Sequence, residues 1–254
     1  MGAIRGVILD LDGVLHVRDR VVPGAPEAVR RLRAAQIPLR FVTNTTRRPR
    51  RAILEVLTRF GFDIAADEVL TPAAAVCDRL KEMAESPYLL IHPDLAEDFA
   101  AFGASGTDAV VLGDAGDAFR YDTLNRAFRL LMEGAPLYAL AANRYFQDDD
   151  GLSLDVGAFV AALEYASGIT AELFGKPAPA FFQAALEGLG CRTEEAVMIG
   201  DDVEADVNGA LALGFGGVLV RTGKYRPEDA ARLASGGVIV ADVTEAVDRI
   251  LAAA

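Results

Sequence analysis

The feature that most constrains the fold is a rhythm: a short apolar run ends on an acid, a hydroxyl or a glycine, and an amphipathic stretch follows. Ile4–Leu9 runs into Asp10, Leu39–Val42 into Thr43, and Ala196–Ile199 into Gly200-Asp201. Apolar runs of this length predict strands covered on both faces, as in parallel sheets. Between them, Pro26–Ala35 carries Ala28, Val29 and Leu32 at helical spacing. Arg50–Phe60 carries Ile53, Leu54 and Leu57 and stops at Gly61, and Thr71-Pro72 opens a helix through Met83.

The middle of the chain repeats the pattern. Tyr88–Ile91, Ala109–Leu112 and Leu137–Ala141 read as strands; Tyr121–Met132 and Val156–Ala166 read as helices closed by Gly134 and Gly168. In the last third, Leu173-Phe174, Ala196–Ile199, Gly217–Val220 and Val238–Val240 read as strands. Ala180–Leu189, Val203–Leu213 and Glu245–Leu251 read as helices. Alternation of this kind predicts an α/β fold with a doubly wound parallel sheet. Ligands of such sheets bind beyond the carboxyl ends of the strands, where Asp10, Thr43 and Asp201 fall.

Composition narrows the partners. The net charge of −12 opposes nucleic acid or an anionic membrane as a general partner, because both call for a basic surface. An acidic chain that handles anions has to supply local positive charge, from a metal or a few placed cations. Cys77 and Cys191 form no CxxC and no disulfide framework, which fits a reducing cytoplasm. The start of the chain lacks the basic region and long apolar core of a signal peptide. Gly6 stands where a myristoylation signal has Ser or Thr, and no apolar run is long enough for a membrane span.

Four short segments carry the chemistry. Asp10-Leu11-Asp12-Gly13 puts two carboxylates at a sharp exit from a strand, though an acidic turn is also an ordinary strand ending. Thr43-Asn44 offers a hydroxyl, an amide and backbone N–H groups to phosphate oxygens, but both are also default turn residues. Gly175-Lys176-Pro177 precedes a helix. Pro177 suits the first helical position, and Lys176 is a point charge beside it or a solvated lysine. Gly200-Asp201-Asp202-Val203-Glu204-Ala205-Asp206 gathers four acids at a strand–helix junction. The helix dipole accounts for one or two of them; four suggest a hard divalent cation such as Mg²⁺.

In this order and context the four segments resemble the motifs of the haloacid dehalogenase-like hydrolase superfamily: DxD, a Thr or Ser, a Lys, and an acidic cluster. The likeness spans nearly the whole chain. About half the chain separates Thr43 from Lys176, where this superfamily inserts a type-2 α/β cap. The resemblance implies a Rossmann-like core in two parts, residues 1–84 and 174–254, and a smaller cap over residues 85–173. Phe41-Val-Thr-Asn-Thr-Thr46, Ala158–Gly175 and Val220-Arg-Thr-Gly-Lys-Tyr-Arg226 are similar to the subgroup that contains the phospholysine phosphohistidine inorganic pyrophosphate phosphatases.

That likeness implies an Mg²⁺-dependent phosphatase for small phosphomonoesters, phosphoramidates or pyrophosphate. Asp10 is implied as nucleophile, already ionised at neutral pH if its pKa is an ordinary ~3.9. Asp12 is implied as acid and base, and Thr43, Asn44 and Lys176 as phosphoryl contacts. Asp10, the Asp12 carbonyl and Asp201 are implied as metal ligands, with Asp202 and Asp206 behind them. Arg144, in the cap segment Asn143-Arg-Tyr-Phe146, is implied as a substrate contact, with Arg47 and Arg48 as lesser candidates. A homodimer through the cap is implied as well. Asp148–Asp150 reads as a solvated loop, and His16 and His92, which lack metal-ligand spacing, receive no role.

Two other readings compete. A phosphomutase keeps the second aspartate and differs in excluding water. A non-catalytic phospho-acceptor module also uses acids, a Thr and a Lys, but needs about half this length and places its acids differently. A dinucleotide-binding fold would need GxGxxG where this chain has Asp-Leu-Asp-Gly.

Overall fold

The computed structural model describes residues 4–147 and 151–253; the Asp148–Asp150 run lies outside the described residues. The chain forms two compact units. The first comprises the residues through Thr43, Leu54–Leu70 and Lys176 onward, and the second Asn44–Ile53 and Thr71–Gly175.

The first unit is built on a six-stranded sheet. Its order is Val238–Val240, Gly216–Val220, Ala196–Gly200, Gly6–Asp10, Leu39–Val42, Val69–Leu70, and every neighbouring pair is parallel. Gly6–Asp10 is buried along its whole length, as its apolar run predicts. The chain starts at this central strand, builds outward on one side, and later returns to build on the other. The strand order therefore reverses between Gly6–Asp10 and Ala196–Gly200. That switch point is where open α/β sheets leave a crevice. Val7, Ile8 and Leu9 register with Val197, Met198 and Ile199, which carries Asp10 and Asp201 out of adjacent strands side by side.

Helix Ala25–Ala34 buries Ala25, Ala28, Val29 and Leu32, an apolar stripe at helical spacing. Gly24 precedes it at φ 80, a conformation that only glycine adopts without strain. Val203–Leu213 differs from the single helix expected. Val203–Asn208 is a wide π-type turn and only Gly209–Ala212 is α-helical. Asp202 caps the turn, accepting the N–H groups of Glu204 and Ala205 at 3.0 Å each. The wider winding brings Asp206 inward, where it is 1% exposed.

The second unit carries its own four-stranded parallel sheet, in the order Glu172–Leu173, Leu137–Ala139, Ala109–Leu112, Pro87–Leu90. Alternate side chains of Ala109–Leu112 feed two cores. Val110 and Leu112 pack with Leu130, Val156 and Val160 from helices Tyr121–Met132 and Val156–Ser167. Ala109 and Val111 pack with Val76 and Leu80 from helix Pro72–Met83. That helix groups with the second unit, whereas the sequence places it in the first part of the core. Thr71 caps it by accepting the Ala74 N–H at 3.1 Å.

Two hairpins are not legible in the sequence: His16-Val17 with Arg20-Val21, and Tyr145–Gln147 with Leu152–Leu154. Strands of two or three residues are too short to show a period.

Candidate active site

At the carboxyl edge of the first sheet, Lys176 joins the end of strand Gly6–Asp10 to the π-type turn Val203–Asn208. Its Nζ lies 2.5 Å from Asp10 Oδ1 and 2.7 Å from Asp206 Oδ1. All three side chains are within a few per cent of full burial. The Lys176–Pro177 peptide is cis, and Pro179 rather than Pro177 takes the opening turn of the helix that follows, Pro179–Glu187. Lys176 thus stands ahead of the helix as a buried cation and not as a solvated one. Burial pulls its pKa down, but Asp10 and Asp206 outweigh that and hold it above the usual lysine value.

Asp10, Asp201 and Asp206 each aim one carboxylate oxygen into a space where those oxygens lie within 4.8 Å of one another. Three buried carboxylates outnumber the one buried lysine that touches two of them, and Lys224 adds positive charge beside Asp201. The consequence shows at Asp10, whose pKa is raised well above the ordinary range by burial, with Asp206 and Asp201 adding to the effect and Lys176 opposing it. Asp10 is thus not in the ordinary solvated surroundings that the sequence reading assumes, and added positive charge favours its ionised form. Asp201 is pushed up to about 6, mainly by burial and then by Asp206.

The donor set suits a divalent cation. Asp201 Oδ2 accepts the Lys224 N–H at 2.7 Å, while Asp201 Oδ1 is buried with no hydrogen-bond partner among the described residues. A buried unpartnered carboxylate oxygen beside two more carboxylates is what a hard, oxygen-seeking ion requires. Asp206 belongs to this converging set and also contacts Lys176, which the sequence alone does not reveal. Asp202 turns away into its capping role; its backbone N–H donates to Asp206 Oδ2 at 3.1 Å and so braces that carboxylate.

The remaining candidates are placed as follows. Thr43 is buried at the end of Leu39–Val42, next to Asp10 in the sheet, and its N–H donates to the Leu70 carbonyl. Asp12 is largely exposed, and its Oδ1 lies 3.4 Å from His16 Nδ1. His16 also contacts the Arg18 carbonyl through the same nitrogen, so a residue given no role from sequence sits against the second aspartate of the motif.

Asn44 and Arg144 belong to the second unit, Asn44 half-buried and Arg144 exposed. In that unit Arg47 donates through Nε to Asp114 Oδ2 at 2.5 Å. Nearby Asp155 accepts the Val156 N–H at 2.7 Å, and its pKa is raised, chiefly by burial. Asp114 follows the strand Ala109–Leu112 through Gly113, the same strand-end pattern that marks the acids of the first unit.

A doubly wound core with an inserted α/β cap and an Asp–Lys–Asp site at its switch point defines a haloacid dehalogenase-like hydrolase. The chain belongs to that family: residues 7–105 match the haloacid dehalogenase-like hydrolase model and residues 173–246 a HAD-hydrolase-like model.

Within the family it is of the type with an α/β cap. It is 46% identical to the human haloacid dehalogenase-like hydrolase domain-containing protein 2, over 98% of this chain and 96% of that one. It is 43% identical to the rat phospholysine phosphohistidine inorganic pyrophosphate phosphatase, over 99% and 96%. Among solved structures, the 4-nitrophenylphosphatase of Thermotoga maritima superposes with a TM-score of 0.87 at 27% identity, covering 98% of each chain.

Proposed function

We propose that this chain is an Mg²⁺-dependent phosphatase acting on small phosphomonoesters, phosphoramidates or pyrophosphate through a phosphoryl group carried on Asp10. The observation that carries the reading is the buried Lys176 bridging Asp10 and Asp206, with the unpartnered Asp201 Oδ1 in the same group.

Asp10, the carbonyl of Asp12, Asp201 and Asp206 are the residues that would hold the ion. When bound, it supplies positive charge to the carboxylates and to the phosphoryl oxygens. Asp10 attacks phosphorus as the bond to the leaving group breaks. Asp12 protonates the leaving oxygen or nitrogen. Asp12 then takes a proton from water as that water attacks the aspartyl-phosphate, releasing inorganic phosphate and restoring Asp10. Its exposure gives it access to water, and His16 lies beside its carboxylate. Lys176 neutralises charge on Asp10 and on the phosphoryl group, while the Thr43 hydroxyl binds a phosphoryl oxygen. Catalysis is then mostly positioning and electrostatic stabilisation.

Asn44 and Arg144 are proposed as substrate contacts on the sequence likeness. A cytoplasmic location is proposed on the sequence, whose two cysteines form no CxxC and no disulfide framework, and a homodimer through the cap on the family likeness. No helix among the described residues is long and apolar enough to cross a membrane.

The test is phosphate release from a panel that includes pyrophosphate, phospholysine, phosphohistidine and 4-nitrophenyl phosphate, with Mg²⁺ and with EDTA. Mg²⁺-dependent release abolished by EDTA is the expected result. Transfer of phosphate between two positions of one compound, with none released, would identify a mutase instead.

A further inference from the structure

The loop after strand Gly216–Val220 reaches across to the end of the first strand. Thr222 Oγ1 donates a hydrogen bond to the Gly13 carbonyl, and the backbone N–H of Lys224 donates to Asp201 Oδ2 at 2.7 Å. Between these anchors Gly223 adopts φ 65, and Gly13 adopts φ 87. A Cβ at Gly13 would collide with the Asp201 carboxylate. A Cβ at Gly223 would collide with both Asp201 Oδ2 and the Gly13 Cα. The Asp201 side chain therefore lies in a slot walled by two bare glycines. One of its oxygens is taken by Lys224 N–H, and the other is left buried and unpartnered.

We infer that Thr222-Gly223-Lys224 is a positioning clamp for the cation site, and that Thr222 is its side-chain residue. Thr222 touches neither the converging carboxylate oxygens nor the reacting atoms of the mechanism above. It fixes the Asp10–Gly13 turn against the Gly223 backbone, and that contact closes the slot on Asp201. With Oδ2 tied down, Asp201 offers one oxygen in one direction, so little ordering is left to be done when the ion binds. The Lys224 ammonium, two-thirds exposed and 3.8 Å from Asp202 Oδ2, adds positive charge near Asp201, whereas the hydrogen bond that fixes the Asp201 carboxylate is made by the backbone.

This inference rests on the cation reading of the site, and the two fail differently. Calorimetric titration of the full chain with Mg²⁺ alone, without substrate, reads the affinity directly. Thr222→Val keeps the side-chain shape and removes the donor; it is expected to weaken Mg²⁺ binding by about tenfold, while Thr222→Ser stays within about threefold of wild type. Gly223→Ala keeps every donor but fills the slot and strains the left-handed backbone, and is expected to weaken binding at least as much. Circular dichroism and the metal-free melting temperature select the samples that are folded. Wild-type Mg²⁺ affinity in Thr222→Val or in Gly223→Ala would overturn the clamp and leave the phosphatase reading standing. A wild-type chain that binds no Mg²⁺ would overturn both.

Discussion

Lys176 Nζ sits 2.5 Å from Asp10 Oδ1 in a site where both side chains are buried, and the same ammonium reaches Asp206 at 2.7 Å. A lysine so placed favours the charged form of a carboxylate that burial pushes toward the protonated one. Lys176→Met removes that charge and leaves three buried acids facing one another. The expected result is a fall in kcat of about 10²-fold or more. Breaking a buried pair from one side also costs about 3–5 kcal/mol of stability. Steady-state kinetics and thermal unfolding, with and without Mg²⁺, read the two effects, and part of the lost stability should return with the ion. Unchanged kcat would remove Lys176 from the mechanism.

The placement of Asp12 leads to a second expectation. It is largely exposed and lies beside His16. Asp12→Asn should therefore fold as wild type and slow turnover in both half-reactions. The second half-reaction needs a base and the amide supplies none, so phosphorylated protein should accumulate with activated substrates such as 4-nitrophenyl phosphate. Rapid-quench kinetics read this as a burst of nitrophenol in a variant with a slow steady state. A variant with wild-type turnover would exclude Asp12 as acid and base.

Much of this site is legible in the chain. Asp10, Thr43 and Asp201 sit at the ends of buried parallel strands, whose apolar runs announce themselves, and parallel winding then brings their ends to one edge of the sheet. Asp206 is harder to read: helical periodicity at 3.6 residues per turn does not anticipate the π-type turn on which this side chain meets Lys176. His16 and Thr222 are harder still. His16 belongs to a hairpin of two-residue strands, and Thr222 acts on Gly13, far away in sequence. Neither type nor spacing marks such residues. The grouping of Pro72–Met83 with the second unit is likewise set by what its apolar stripe packs on, since the stripe itself looks the same against either sheet.

Outside the site, Arg33 and Glu68 form a two-pronged pair, with Arg33 Nη1 and Nη2 at 2.8 and 2.7 Å from the two Glu68 oxygens. Glu68 also accepts the Ala65 N–H at 2.9 Å. Burial acts to raise the Glu68 pKa, but Arg33 and that N–H prevail and hold it below its usual value. A carboxyl with a depressed folded pKa adds stability above its unfolded pKa and loses it as pH falls through the folded one. Glu68→Gln should therefore cost about 1–2 kcal/mol at pH 7. The difference from wild type should shrink as pH drops below ~4.3, the ordinary glutamate value. Urea unfolding at pH 7 and pH 3.5 measures it; a difference that grows on acidification would contradict the pairing.

Cys77 is buried against helix neighbours, with its Sγ 3.4 Å from the Asp98 carbonyl. Burial pushes its thiol up to about 12, so almost none is thiolate at pH 8. Iodoacetamide should leave Cys77 unmodified in the native protein at pH 8 and label it promptly in urea, as peptide mapping would show. Rapid native labelling would mean that the packing around helix Pro72–Met83 opens readily.

The central claim is that the phosphoryl group passes through Asp10, and the most direct measurement is to locate that group. Asp12→Asn is incubated with Mg²⁺ and 4-nitrophenyl phosphate, quenched in acid, digested and mapped by mass spectrometry. The expected result is a phosphoryl group on the peptide that contains Asp10, absent when Asp10→Asn is added to the same protein. A phosphoryl group on any other residue would contradict the mechanism, as would Mg²⁺-dependent turnover that survives Asp10→Asn.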